Sequence, residues 1–258
     1  MKKIFFMDID GTLAVGDALI PGTLALLRAI RERDGVCRYF TNNSSKGIGT
    51  YIEQFRQWGI PVRPEEFLTA GAYSAQQMKR IVGNQKIFLL GTESYRRECE
   101  REGLHVTEQA DPDTAAVLIA YDTELNYEKL RQVCALLNRP DIPWYATNPD
   151  LCCPSPHGMI PDCGAICQMI GSAVGRTPQY FGKPEPGMIL DTLRALNLSK
   201  EEAIVIGDRL YTDIASGKNA GVDTCLVLTG EEKEESAAAS FCFPSVAELE
   251  QAMDKGLL

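Results

Sequence analysis

Two carboxylates stand two residues apart at the end of an apolar run, where Ile4-Phe5-Phe6-Met7 leads into Asp8-Ile9-Asp10-Gly11. A short apolar run closed by Gly reads as a buried strand entering a turn. Residues i and i+2 of a strand share a face, so strand geometry persisting through Asp10 would point both carboxylates the same way. Two like charges that close are unfavourable unless a cation or a proton sits between them. At the carboxyl end of a strand, where open α/β sheets place their sites, such a pair suggests metal chemistry. The plainer alternative is an acidic loop whose Asp caps the next helix.

Other strand ends carry comparable groups. Val36-Cys37-Arg38-Tyr39-Phe40 reads as a strand running into Thr41-Asn42-Asn43-Ser44-Ser45, a cluster of short donors and acceptors. That cluster suits either helix capping or phosphate binding by hydroxyl, amide and backbone N–H groups. Ala203-Ile204-Val205-Ile206 has the pattern of a fully buried strand and ends in Gly207-Asp208-Arg209, with Asp213 five residues after Asp208. Lys183 follows Gly182 in Tyr180-Phe181-Gly182-Lys183-Pro184. Taken alone it would be an exposed lysine.

The elements that must position these groups alternate between strand and helix, as in an α/β fold. Helical spacing is expected over 22–33, 47–58 and about 70–82. A second α/β set begins near Gly83, with strands at Lys86–Leu90, Ala115–Ala120 and Trp144–Thr147 and helices over 93–102, Tyr127–Leu137 and Ala165–Val174. Residues 148–164, dense in Pro, Cys, Gly and Asp, read as a loop too long for a simple connection, either binding or mobile. A third part begins at Gln179, with a helix over 187–196, the strand before Gly207, a strand at Thr224–Leu228, a short strand near Phe241 and a helix from Val246. The Glu-rich stretch Glu231–Glu235 reads as a solvated turn.

Composition limits the partners. The chain has 258 residues and a formal net charge of -9, which argues against nucleic acid as a main partner because no basic surface displaces counterions. Anionic substrates must then be held by local positive charge. No stretch approaches a membrane span, and the first strand starts too early for a signal peptide, so a cytoplasmic setting is expected. The nine cysteines, an odd number in a long chain without a CxxC pair, read mainly as buried thiols and not as a disulfide framework. With only His105 and His157 to assist them, a zinc site is poorly supported.

Taken together in order, the four segments resemble the haloacid dehalogenase superfamily of phosphatases. Asp8-Ile9-Asp10-Gly11-Thr12 is similar to its DxDGT first motif, Thr41 to its second, Lys183 to its third, and Gly207, Asp208 and Asp213 to its GDxxxxD fourth. The TNNS and GKP segments look like the NagD-like and p-nitrophenyl phosphatase branch, with a C2-type cap. The resemblance implies an α/β fold with a Rossmann-like parallel-sheet core over 1–82 and 179–258 and an inserted α/β cap over 83–178. It also implies Mg²⁺-dependent hydrolysis of small phosphate monoesters through an aspartyl phosphate. Asp8 would be the nucleophile, and Asp10 the general acid and base. The metal would sit on Asp8, the Asp10 backbone carbonyl and Asp208. Thr41, Asn42, Asn43 and Lys183 would bind the phosphoryl group or its surroundings, and Asp213 would orient metal-bound water or the lysine.

Sugar phosphates, nucleoside monophosphates, glycerol phosphate and pyridoxal phosphate are all compatible substrates, and a homodimer through the cap would fit the family. The loop 148–164 would hang over the core site. Cys152 and Cys153 in it are candidate specificity residues, with buried packing the alternative. Rival readings are weaker. A dehalogenase needs no metal and lacks the second carboxylate of the first motif. A phosphomutase usually carries its cap between the first and second motifs, and about thirty residues separate Asp10 from Thr41. An idle binding protein is disfavoured by intact acids at every motif.

Overall fold

The computed structural model describes residues 2–155 and 158–256. They form two compact units. The first takes Met1–Thr41, Ile52–Leu68 and Lys183–Leu258, and the second Asn42–Tyr51 and Thr69–Gly182. The expected insertion over 83–178 lies inside the second unit.

The first unit is built on a six-stranded sheet in the order Phe241–Phe243, Asp223–Val227, Ala203–Gly207, Ile4–Met7, Val36–Thr41, Phe67–Thr69. From Phe241–Phe243 through Val36–Thr41 the neighbours are parallel, giving the α/β, Rossmann-like core. Every residue of Ile4–Met7 and of Ala203–Gly207 is buried, which is why these strands read as continuous apolar runs. The register decides where the chemistry falls. Met7, the last residue of its strand, lies opposite Ile206 on one side and Tyr39 on the other, one and two residues before those strands end. The next residues along each chain are Asp8, Gly207 and Phe40.

The second unit has its own parallel sheet, ordered Gln179–Tyr180, Trp144–Ala146, Ala116–Ile119, Lys86–Leu90, His105–Thr107. Strand alternation splits its core into two layers. Ile87, Leu89, Ala116 and Leu118 pack with Met78 and Tyr95 from the helices Ala70–Val82 and Glu93–Arg101. Phe88, Leu90, Val117 and Ile119 pack with Val133 and Ile166 from the helices Tyr127–Leu137 and Cys163–Val174.

The segment expected as one long loop is different. Cys152–Ser155 pairs antiparallel with Gly158–Pro161, so residues 148–164 contain a β-hairpin. Pro154 and Pro161 hid it, since proline lacks a ladder donor and is kept to strand edges and ends. His157 lies outside the described residues. The nine cysteines are free thiols. Among the described residues no helix is long and apolar enough to cross a membrane.

Candidate active site

The carboxyl ends of neighbouring strands in the first unit bring Asp8, Asp208 and Asp213 together with Lys183. The backbone N–H of Asp8 donates to Ile206 O at 2.9 Å, carrying the ladder one residue past the strand. Asp208 follows the neighbouring strand directly. Asp213 arrives by a wide, π-helical turn over Leu210–Ile214, in which the Ile214 N–H reaches back to Arg209 O at 3.1 Å. Such turns re-aim side chains at functional sites. A Cβ on Gly207 would lie 2.2 Å from Asp213 Cβ, so only glycine lets the two segments close. The Arg209 N–H donates to Asp213 Oδ2 at 3.1 Å and fixes that carboxylate.

Lys183 occupies the centre. Its Nζ donates to Asp8 Oδ1 at 2.6 Å, Asp213 Oδ1 at 2.6 Å and Phe40 O at 3.0 Å, which uses all three ammonium protons. The ammonium also stands 4.8 Å from the centroid of the Phe40 ring. Its burial is nearly complete, so the expectation for an isolated lysine does not hold here. Burial alone would favour the neutral amine, but Asp213 and Asp8 outweigh it and hold the ammonium above its ordinary value.

Asp8, Asp208 and Asp213 are all buried, with carboxylate oxygens within 4.8 Å of one another. Desolvation raises Asp8 well above the usual carboxylate range. Lys183 opposes that shift, and Asp213 and Asp208 add to it. Desolvation, reinforced by Asp213, pushes Asp208 up to about 6. Three buried carboxylates against one buried ammonium leave an excess of negative charge that a cation would neutralise. The donors are all hard oxygens, which matches a divalent cation such as Mg²⁺ and not a thiophilic metal. The residues present therefore fit a metal.

The remaining predicted residues divide. Ile4–Met7 ends before the acids, and Asp10 sits exposed in the following bend, bridged to Ala14. The strand ends at Met7, so the condition for a shared strand face, strand geometry through Asp10, is not met. Thr41 is buried at the end of its strand. Asn42 belongs to the second unit, where its amide donates to Asp150 Oδ2 at 2.9 Å. Asn148 donates to the same oxygen at 3.0 Å and to Asp162 Oδ1 at 3.1 Å. Ser44 Oγ pairs with Thr147 Oγ1 at 2.8 Å and accepts from the Tyr121 N–H at 3.0 Å. This buried network fixes the backbone just after Thr41. Asn43 Oδ1 accepts from the Ser45 N–H and hydroxyl at 3.0 and 2.8 Å, a local turn. Cys152 is half-buried in the hairpin, and Cys153 packs against the apolar layer that contains Tyr121.

Some contributors escaped sequence reasoning. The Phe40 carbonyl and the Arg209 N–H are backbone groups without a residue-type signal. Thr12 donates its hydroxyl to Asp208 Oδ1 at 3.3 Å. Glu231, expected only to be solvated, donates its N–H to Asp208 Oδ2 at 2.7 Å. The position of Thr229-Gly230 just past the strand Asp223–Val227 was a usable signal, because strand ends on this side of the sheet hold the site.

Comparison with known proteins agrees with this geometry. The profile of haloacid dehalogenase-like hydrolases matches residues 2–221. The chain is 31% identical over 262 residues to an acid sugar phosphatase of Staphylococcus haemolyticus, covering 98% of each. The crystal structure of a 4-nitrophenylphosphatase from Thermotoga maritima superposes with a TM-score of 0.91 at 35% identity, covering 97% of both chains. A p-nitrophenyl phosphatase from Archaeoglobus fulgidus superposes with a TM-score of 0.90 at 28% identity, covering 97% of this chain and 99% of that one. With the match running from the first of the four segments through the last, this chain belongs to the haloacid dehalogenase-like hydrolases.

Proposed function

We propose that the protein is a Mg²⁺-dependent phosphatase that hydrolyses small phosphate monoesters, sugar phosphates foremost, through an aspartyl phosphate on Asp8. The observation that carries this reading is Lys183 held between Asp8 and Asp213 beside a third buried acid, Asp208. The identity to an acid sugar phosphatase supports the substrate class.

An oxygen of Asp8 attacks phosphorus, and the ester oxygen leaves with a proton from Asp10. Asp10 then takes a proton from water, which attacks the phosphoryl group, releases inorganic phosphate and restores Asp8. Asp10 is exposed, so it can exchange its proton with solvent between turnovers. General acid–base assistance of this kind contributes ~10²–10⁴-fold. The split into two displacements lowers the barrier of a reaction that is otherwise among the slowest known. Lys183 and Thr41 bind the phosphoryl oxygens, with Lys183 kept charged by Asp213. Asp8 and Asp208, with the Asp10 carbonyl, would hold Mg²⁺, which when bound screens the Asp8 carboxylate from the anionic phosphoryl group.

The test is phosphate release from p-nitrophenyl phosphate and a panel of sugar phosphates. Activity is expected with Mg²⁺, loss with EDTA and recovery on Mg²⁺ addition. Full activity after exhaustive chelation would overturn the metal role.

A further inference from the structure

Just beyond the strand Asp223–Val227 the chain lies across Asp208. The Glu231 N–H donates to Asp208 Oδ2 at 2.7 Å, and the Glu232 N–H to the Asp208 backbone carbonyl at 3.2 Å. Thr229 Oγ1 donates to Gly11 O at 2.6 Å, which ties the same segment to the turn after Asp10. Between these anchors Gly230 passes so close that a Cβ on it would stand 1.8 Å from Asp208 Oδ2. The Glu231 side chain pairs with Arg209 Nε at 3.1 Å and accepts from the Tyr211 hydroxyl at 3.4 Å. Arg209 is the residue after Asp208, so the ion pair closes the segment onto the acid it covers.

The geometry points to Thr229–Glu231 as a positioning strap that orients the Asp208 carboxylate for a cation, latched by the Arg209–Glu231 ion pair. This rests on the reading of Asp208 as a cation ligand. The terminal torsion of an aspartate is broad, so a ligand carboxylate needs outside partners to present one oxygen. Here the strap takes Oδ2 through a short N–H bond. Oδ1 accepts the longer 3.3 Å bond from Thr12, which a cation can replace. The strap residues touch neither the phosphoryl group nor the leaving group in this account, so they act through Asp208.

The test is Mg²⁺ binding to the full-length protein without substrate, followed by calorimetry and by the Mg²⁺-dependent shift in melting temperature. Loss of partners one layer outside a metal typically costs about 10–100-fold in affinity, and Gly230→Ala, which forces a methyl against Asp208, is expected in that range. Glu231→Gln keeps the N–H but opens the latch, and about a threefold rise in the Mg²⁺ dissociation constant is expected, since half-exposed ion pairs are weak. Thr229→Val, which frees the strap from Gly11, serves if Gly230→Ala does not fold, and the same direction is expected. Folded Thr229→Val and Glu231→Gln proteins that bind Mg²⁺ as the wild type does would overturn the strap. A wild-type protein that does not respond to Mg²⁺ would overturn the metal reading itself, and the wild-type measurement alone distinguishes the two.

Discussion

Lys183 Nζ lies 2.6 Å from Asp8 Oδ1, and this contact joins the charge proposed to bind a phosphoryl group to the atom proposed to attack it. The second bond, to Asp213, helps to keep the lysine charged beside Asp8. The arrangement is electrostatically unfinished, because the three acids outnumber the ammonium.

That imbalance makes Lys183 a stability residue as well. Lys183→Met leaves Asp8 and Asp213 buried without their counter-charge, and removing one partner of a buried pair costs about 3–5 kcal/mol. Denaturant unfolding of the metal-free variant should show a loss of this size, partly restored by Mg²⁺. A loss below about 1 kcal/mol would mean that the acids are not charged together as described.

The pH dependence follows from Asp208. Its folded value, raised to about 6, lies above the ordinary carboxylate value, so the folded state holds a proton that the unfolded chain has already lost. Stability from this group is present at low pH and is lost as pH rises through about 6. Metal-free wild type should therefore gain stability relative to Asp208→Asn as pH falls from about 7 to about 5. Protons and cation compete for the same carboxylate, so the Mg²⁺ dissociation constant should rise toward tenfold per unit below about pH 6. A dissociation constant flat across that window would contradict the assignment of Asp208.

Cys153 tests whether the hairpin contributes to substrate choice. Its packing against the apolar layer of the second unit allows a purely structural role. In that case Cys153→Ala lowers kcat/KM for every ester by one factor. With a role in binding the leaving group, the substrate ranking changes while p-nitrophenyl phosphate stays within roughly tenfold, or about 1.4 kcal/mol. We expect the change in ranking, measured as kcat/KM across a phosphate-ester panel.

The parts of the fold with a strong period were legible in the sequence. Lys86–Leu90 and Tyr127–Leu137 have the expected bounds, because a continuous apolar run and a clean helical stripe leave no competing reading. His105–Thr107 and Phe67–Thr69 were not legible, since three residues show no period and form only because a neighbouring edge is available. The hairpin at Cys152 was masked by prolines. At the site, Asp8, Asp208 and Asp213 stood out by type and spacing at strand ends, whereas Lys183 was singled out only by the family resemblance. Groups acting through the backbone, such as Phe40 O and the Glu231 N–H, carry no mark in the sequence and became visible only through strand register and loop path. The same limit applies to Asp10. Its place two residues after Asp8 suggested a common strand face, but the strand stops first.

The most direct test of the account is kcat/KM for Asp8→Asn against wild type, with saturating Mg²⁺ and p-nitrophenyl phosphate. Asparagine has nearly the same shape and can still accept from Lys183, so the fold should survive, as read by circular dichroism and melting temperature. The account predicts a folded protein whose activity is reduced by at least about 10³-fold, that is by about 4 kcal/mol or more in the transition state. Folded Asp8→Asn protein that retains more than about one part in twenty of wild-type kcat/KM, a loss of less than about 2 kcal/mol, would contradict Asp8 as the nucleophile.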